Sequence, residues 1–270
     1  MKYSHKAMDT AFTLTVNCGD EELAASAAQA CFDRIDALEL TLSRFHDTSD
    51  VAVIRNLVPG EYAVVSRETV DLLTECARIC AATGGAFDPT VEKRNFGDLT
   101  IDTTHCRIAV KSRVELDFGG IGKGFALDEC RKILESEQYA LDDWLFDAGT
   151  STILTSGGPW KLGVGGPFKS RSRISPAVEI SAAALSGSGF EIQGAHVWDV
   201  RKGVRETRWA QSWAIAPTAT AADALTTAAL SLSPAELHSA AKMLQAEILI
   251  ARKQPRWMDR FRDPLVWFRG

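Results

Sequence analysis

The stretch VELDFGGIGKGFALDECRKIL, residues 114–134, changes its periodicity part-way through, and that change sets how the rest of the chain is read. It opens as an alternating, β-prone run and passes through Gly119, Gly120, Gly122 and Gly124, with Lys123 among them. Leu127, Cys130, Ile133 and Leu134 then fall on one helical stripe. Strand, glycine turn and helix in that order aim backbone N–H groups at an anion, because a helix N-terminus carries unpaired donors and a positive dipole end. The expectation is a cradle for the phosphates of a nucleotide. The spacing is not that of G-x-x-x-x-G-K-[ST], since Gly124 stands where the hydroxyl belongs, and it is not the dinucleotide fingerprint either. A tight turn with a surface lysine carries the same signature. Asp147 resembles a ribose-binding acid, which keeps a nicotinamide-dependent oxidoreductase in view, but it lies about 25 residues on instead of about 20.

Working outward, a strand is expected over 12–16, followed by an amphipathic helix over 21–42 with Leu23, Ala27, Cys31, Ile35, Leu38 and Leu42 on one face. After the polar loop SRFHDTSD and the apolar run 51–57, Ser66 is placed as the N-cap of a second helix, which Gly84 and Gly85 end. Residues 92–113 read as a loop and a short hairpin. Strands are expected at 144–146, 160–164, 177–180, 196–200, 212–216 and 247–251, with helices over 221–232 and from Ser233-Pro234-Ala235-Glu236 to Gln245. Strands and helices interleave without strict βαβα alternation, so an α+β fold with a mixed β-sheet core and flanking helices is expected, as one domain over 1–270. The tail 251–270, basic and aromatic with Trp257, Phe261, Trp267 and Phe268, is expected to cover apolar surface of the body.

The composition is that of an ordinary globular protein, 46% apolar and 24% charged. A net charge of −5 lacks the basic footprint of a nucleic-acid binder. No run approaches the ~20 apolar residues of a membrane span, and the first 16 residues hold no signal-type apolar core, so a cytoplasmic protein without membrane insertion is expected. The six cysteines fall mostly at apolar positions and are read as free buried thiols. A homodimer is left open.

Two further constellations carry chemistry. In ATAADALTTAAL, residues 219–230, Asp223 and Thr227 are four apart, so a helix stacks a carboxylate and a hydroxyl on one face. Two hard oxygen ligands suit Mg²⁺, which completes its shell with water and phosphate. The same pair equally describes an aspartate favoured by the helix dipole and a threonine bonded back to the i−4 carbonyl. In AHVWDVRKG, residues 195–203, His196 is a candidate general base or a hydrogen-bonded bystander.

The order of the motifs is more specific than any one of them. M-D-T (8–10), L-S-R-F (42–45), G-A-F-D-P-T-V (85–91), L-D-F-G-G-I-G-K-G-F-A-L-D (116–128), H-x-x-D-x-R-x-G (196–203) and I-A-P-T-A-x-x-A-D-A-L-x-T (215–227) occur in sequence. Together they resemble the FAD:protein FMN transferase family, also called ApbE, over essentially the whole chain. The family patterns are M-G-T, hydrophobic-S-R-[FY], G-x-[FL]-D-[PI]-T-V, L-D-x-[GS]-[GA]-[IV]-[AG]-K-G-x-[AG]-x-D, H-x-[IV]-D-P-x-[TS]-G and A-P-[TS]-A-x-x-A-D-[AG]-L-[AS]-T. The resemblance implies an α+β, flavin-binding Mg²⁺ enzyme that splits the FAD pyrophosphate. Such an enzyme attaches FMN through a phosphoester to a threonine or serine of a target flavoprotein and releases AMP.

Carried over by the resemblance, Asp223 and Thr227 match the metal-ligand pair, and the Gly122 carbonyl matches the backbone ligand beside the lysine. Met8, Phe87, Asp88, Thr90, Lys123 and Asp128 match positions around the FAD, and His196 matches the histidine taken as the base. Lys123 and Asp223 would then serve catalysis with His196. The chain departs from the pattern in places: Gly149-Thr150-Ser151 replaces G-G-[DE], and Ser186-Gly187-Ser188 replaces S-G-D-[YF]. Val200 and Lys202 alter the histidine motif, and EKRNFGD follows Val91. An FAD pyrophosphatase giving FMN and AMP, or an inactive flavin carrier, therefore stands beside the transferase.

Overall fold

In the computed structural model the described residues are 1–90, 95–149, 151–164, 177–189, 201, 209–252 and 265–270. Eight strands form one sheet in the order β1 (Lys2–Ala7), β2 (Thr10–Val16), β6 (Trp144–Ala148), β7 (Thr152–Ser156), β10 (Ala184–Gly189), β11 (Trp209–Ala216), β12 (Glu247–Arg252) and β13 (Leu265–Arg269). A three-stranded sheet of β3 (Tyr62–Val64), β5 (Arg107–Val110) and β4 (Leu99–Asp102), and the pair β8 (Trp160–Gly163) with β9 (Ala177–Ile180), complete the strands. Among the described residues the helices are α1 (Glu21–Leu42), α2 (Asp50–Arg55), α3 (Arg67–Ala82), α4 (Gly122–Leu134), α5 (Ala219–Ala229) and α6 (Pro234–Leu244). The α+β expectation holds. The sheet, expected as mixed, is antiparallel at every described pairing.

Period-two alternation divides the large sheet into two faces. Phe12, Leu14, Phe146, Leu154, Ala184, Ala214, Ala216, Ile248 and Ile250 point into the main core with the helices. Leu185, Trp213, Leu249 and Ala251 point the other way, into a smaller cluster with Val164, Val178 and Ile180. Where α5 crosses β10 and β11 both partners are small: Ala184, Ser186, Ala214 and Ala216 face a helix made largely of alanine. Close approach follows, and Ser212 Oγ donates to the Thr226 carbonyl at 2.6 Å. That packing sets the depth of α5 and so of Asp223.

The local start and stop signals act as expected. Ser66 Oγ accepts from Thr69 N–H, Ser233 and Glu236 form a reciprocal capping box, and Gly84 and Gly85 adopt positive φ beyond α3. The apolar run after residue 50 is helical, because Ser49 caps it by accepting from Ala52 N–H. The expected strand before the glycine turn is reduced to a single bridge, Thr90 with Leu116. The tail contributes β13, with Phe268 packed against the main core. None of the six cysteines forms a disulfide; Cys31, Cys76 and Cys130 are buried as expected, whereas Cys18, Cys80 and Cys106 are only partly so. No helix among the described residues is long and apolar enough to cross a membrane.

Candidate active site

The glycine-turn block meets three distant motif blocks. Asp117 N–H donates to the Pro89 carbonyl at 2.7 Å, which fastens the turn to the 85–91 block. There Asp88 Oδ1 accepts from Thr90 N–H at 2.8 Å and from Thr90 Oγ1 at 2.6 Å, so Asp88 and Thr90 form one closed local turn. Phe87 is buried and its N–H donates to Thr83 Oγ1. The 42–45 block joins through Arg44, whose guanidinium lies 3.2 Å from Asp117 Oδ2. Asp117 Oδ1 in turn accepts from Gly119 N–H at 2.8 Å. Asp117 and Arg44 shape the site although the sequence alone assigns neither a role; an Asp two residues before a Gly-Gly pair is the available signal.

The third block is α5. Gly124 N–H donates to Asp223 Oδ2 at 3.1 Å, across 99 residues of chain. A Cβ at Gly124 would stand 2.3 Å from the Ala219 carbonyl oxygen and 2.9 Å from Asp223 Cβ, so only glycine permits this crossing. A Cβ at Gly120 would lie 3.4 Å from Thr227 Oγ1, which puts the hydroxyl against the turn as well. Glycine turn, Asp223 and Thr227 therefore share one place.

The turn is less open than the sequence implies. Helix α4 starts at Gly122, inside the glycine run, and has no side-chain cap at Ile121. Ile121 and Gly122 N–H donate to the Phe118 carbonyl and Gly124 N–H donates to Asp223. Most first-turn donors are thus used internally, and the phosphate cradle narrows to Lys123. Its ammonium sits 3.1 Å from the Gly119 carbonyl.

Asp128 turns toward α5. Its two carboxylate oxygens accept from Ala219 N–H at 2.9 Å, Thr220 N–H at 2.8 Å and Thr220 Oγ1 at 2.5 Å. Burial pushes its carboxyl above the ordinary value, against the lowering effect of those bonds and of Arg131 nearby. Met8 occupies the two-residue turn between β1 and β2, with φ of 48°, and Asp9 follows at 57°. No described hydrogen bond or ion pair ties Met8 to the glycine turn. His196, Asp199 and Lys202 lie outside the described residues. Asp147 lies within β6 and not past its end, paired with Thr13 and Ile153, and burial raises its carboxyl.

The donor set suits a hard cation. Asp223 is 5% exposed, and among the described residues its carboxylate accepts one hydrogen bond, from Gly124, and no cationic side chain forms an ion pair with it. A carboxylate so buried has an unbalanced charge unless a cation joins it. A carboxylate, a hydroxyl and the Gly122 backbone are oxygen donors of the kind Mg²⁺ takes. Among the described residues no three His, Cys, Asp or Glu side chains gather as a metal cluster.

Residues 8–96 and 92–250 match the sequence profile described as the ApbE family. The chain belongs to the ApbE family. It is 25% identical over 273 residues to the FAD:protein FMN transferase of Klebsiella pneumoniae (strain 342), covering 85% of this chain and 77% of that one. It is 26% identical over 265 residues to the enzyme of the same name from Salmonella typhimurium, covering 81% and 74%. The fold is similar to that of the Pseudomonas stutzeri flavinyl transferase ApbE in its apo form, with a TM-score of 0.80 at 20% identity over 95% of this chain and 91% of that one. It is also similar to the ApbE protein of Thermotoga maritima, with a TM-score of 0.77 at 23% identity over 93% and 94%.

Within this ApbE chain the two departures from the family's acids stand side by side. Gly187 N–H donates to the Ser151 carbonyl at 2.8 Å, and Ser186 Oγ lies 3.1 Å from the same oxygen. Ser188 Oγ is buried without a hydrogen-bond partner among the described residues.

Proposed function

We propose that this chain is a Mg²⁺-dependent FAD:protein FMN transferase, acting as one domain. A threonine or serine hydroxyl of a target flavoprotein attacks the phosphorus of the FMN half of FAD. The pyrophosphate P–O bond to AMP breaks, AMP leaves with that oxygen, and the hydroxyl proton passes to a base. The observation that carries the reading is the Gly124–Asp223 hydrogen bond, which brings the glycine turn against the helix of Asp223 and Thr227. The names of the curated relatives point the same way.

Asp223, Thr227 and the Gly122 carbonyl are the proposed metal ligands. Bound there, Mg²⁺ would supply charge neutralisation at the pyrophosphate. Lys123 adds a fixed positive charge beside the same oxygens, where phosphoryl transfer depends mainly on positioning and electrostatics. Met8, Phe87, Asp88 and Thr90 are proposed to border the FAD, and His196 to take the proton.

The test is incubation of the purified protein with FAD, MgCl₂ and a flavoprotein bearing an acceptor threonine. A fluorescent covalent band and equimolar AMP are expected. FMN and AMP without a band would make the protein an FAD pyrophosphatase. Bound flavin with neither product would make it a carrier and overturn the enzyme.

A further inference from the structure

Helices α4 and α5 cross at Gly124 and Ala219, and each N-terminus is closed by a carboxylate from the other helix. Gly124 N–H of α4 donates to Asp223 of α5, while Ala219 and Thr220 N–H of α5 donate to Asp128 of α4. The bond from Asp128 is not needed to start α5. Thr218 already caps that helix in the ordinary way, its Oγ1 accepting from Ala221 N–H and its carbonyl from Ala222 N–H. What Asp128 adds is registration between the helices, because its donors belong to a different element. Arg131, one turn along α4, reinforces it by donating to the Pro217 carbonyl at 3.1 Å.

We propose that Asp128 is a positioning residue for the metal-binding edge of α5, acting through Ala219 and Thr220 and not by touching FAD. The inference rests on the transferase reading above. Asp223 lies one turn beyond Ala219, and Thr227 one turn beyond Asp223. Any rotation or slide at the start of α5 therefore moves both proposed ligands against Gly120 and Gly122. The three bonds to Asp128 commit both its oxygens to this task. Groups hydrogen-bonded directly to a metal ligand typically change metal affinity about 10–100-fold when removed, and Asp128 acts one helical turn back from Asp223, so the lower end of that range applies.

The test compares the full chain with Asp128→Ala, Asp128→Asn and Thr220→Val. MgCl₂ titrations are followed by FAD-induced thermal shift, FAD affinity is measured in EDTA, and amide exchange is read at Ala219 and Thr220. Asp128→Ala is expected to raise the Mg²⁺ midpoint about tenfold. Asp128→Asn and Thr220→Val should raise it less, and FAD affinity in EDTA should not change. Faster exchange at both amides with an unmoved Mg²⁺ midpoint would reduce Asp128 to a structural cap and overturn the proposal. An equal loss of FAD affinity with and without Mg²⁺ would make Asp128 a flavin contact and overturn it too. If Asp128→Ala does not fold, the other two variants decide by the same outcomes. A wild-type chain with no Mg²⁺ response would fail the transferase reading first, and this inference with it.

Discussion

Gly124 and Asp223 are 99 residues apart in the chain and joined by a 3.1 Å hydrogen bond from backbone to carboxylate. Their contact exists because residue 124 has no side chain: the nearest atom to a Cβ there would be the Ala219 carbonyl oxygen, which is backbone and cannot turn aside. Gly124→Ala should therefore separate the two helices. Overpacking of this kind costs about 1–3 kcal/mol, readable as a lower urea midpoint at unchanged slope. The Mg²⁺-dependent part of FAD stabilisation should fall with it. A variant with wild-type stability would show that the crossing is looser than described.

Removing the metal should act through Asp223. With FAD present, raising MgCl₂ to a hundred times its dissociation constant is expected to stabilise the wild type by about 2.7 kcal/mol, and EDTA should abolish the gain. Asp223→Asn keeps an acceptor for Gly124 N–H but removes the charge, so its melting temperature should be insensitive to Mg²⁺. A retained Mg²⁺ response in that variant would move the metal elsewhere.

Asp9 offers a stabilising change. It is exposed and held at φ of 57°, where the family pattern has glycine. A left-handed residue other than glycine costs about 1–2 kcal/mol, less for aspartate, while the extra freedom glycine gives the unfolded chain costs about 0.4–1 kcal/mol. The strain term is the larger, so Asp9→Gly should gain about 0.5 kcal/mol in chemical unfolding. A loss would show that the β1–β2 turn holds Asp9 for another reason.

Glu236 gives a pH signature. Backbone and side-chain bonds to Ser233, aided by Arg201, hold its carboxyl down from 4.5 to about 2. A carboxyl depressed in the folded state contributes stability that is complete above its ordinary value and disappears as pH falls toward about 2. Glu236→Gln should therefore be less stable than wild type at pH 7 by about 1 kcal/mol or less, given its partial exposure, and the gap should close near pH 2. A constant difference across that range would assign the effect to packing.

Much of the fold is readable in the sequence because the signals are local. The apolar stripe of α1, the Ser66 cap, the Gly84-Gly85 stop and the Ser233–Glu236 box each act within a few residues, so neighbours in the chain suffice to specify them. Strand β1 escapes a reading of the sequence because Lys2, Ser4 and Lys6 on its outer face belong to a solvated sheet edge and carry no apolar alternation. Strand β10 escapes it because Ser186, Gly187, Ser188 and Gly189 look like a loop; they form a strand because α5 needs a surface of small residues to lie on.

By itself the sequence determined most of the helices, the Ser66 and Ser233 caps, the order of the ApbE motifs and the pairing of Asp223 with Thr227 on one helical face. Only the tertiary structure decided that α4 begins inside the glycine run, that most of its first-turn donors are spent within the protein, and that Asp128 faces α5. The physical reason is one of range. Caps and periodicity are satisfied within a turn or two of chain, whereas the donors of α4 and α5 find their acceptors on each other, and no spacing along the chain records a contact made by packing.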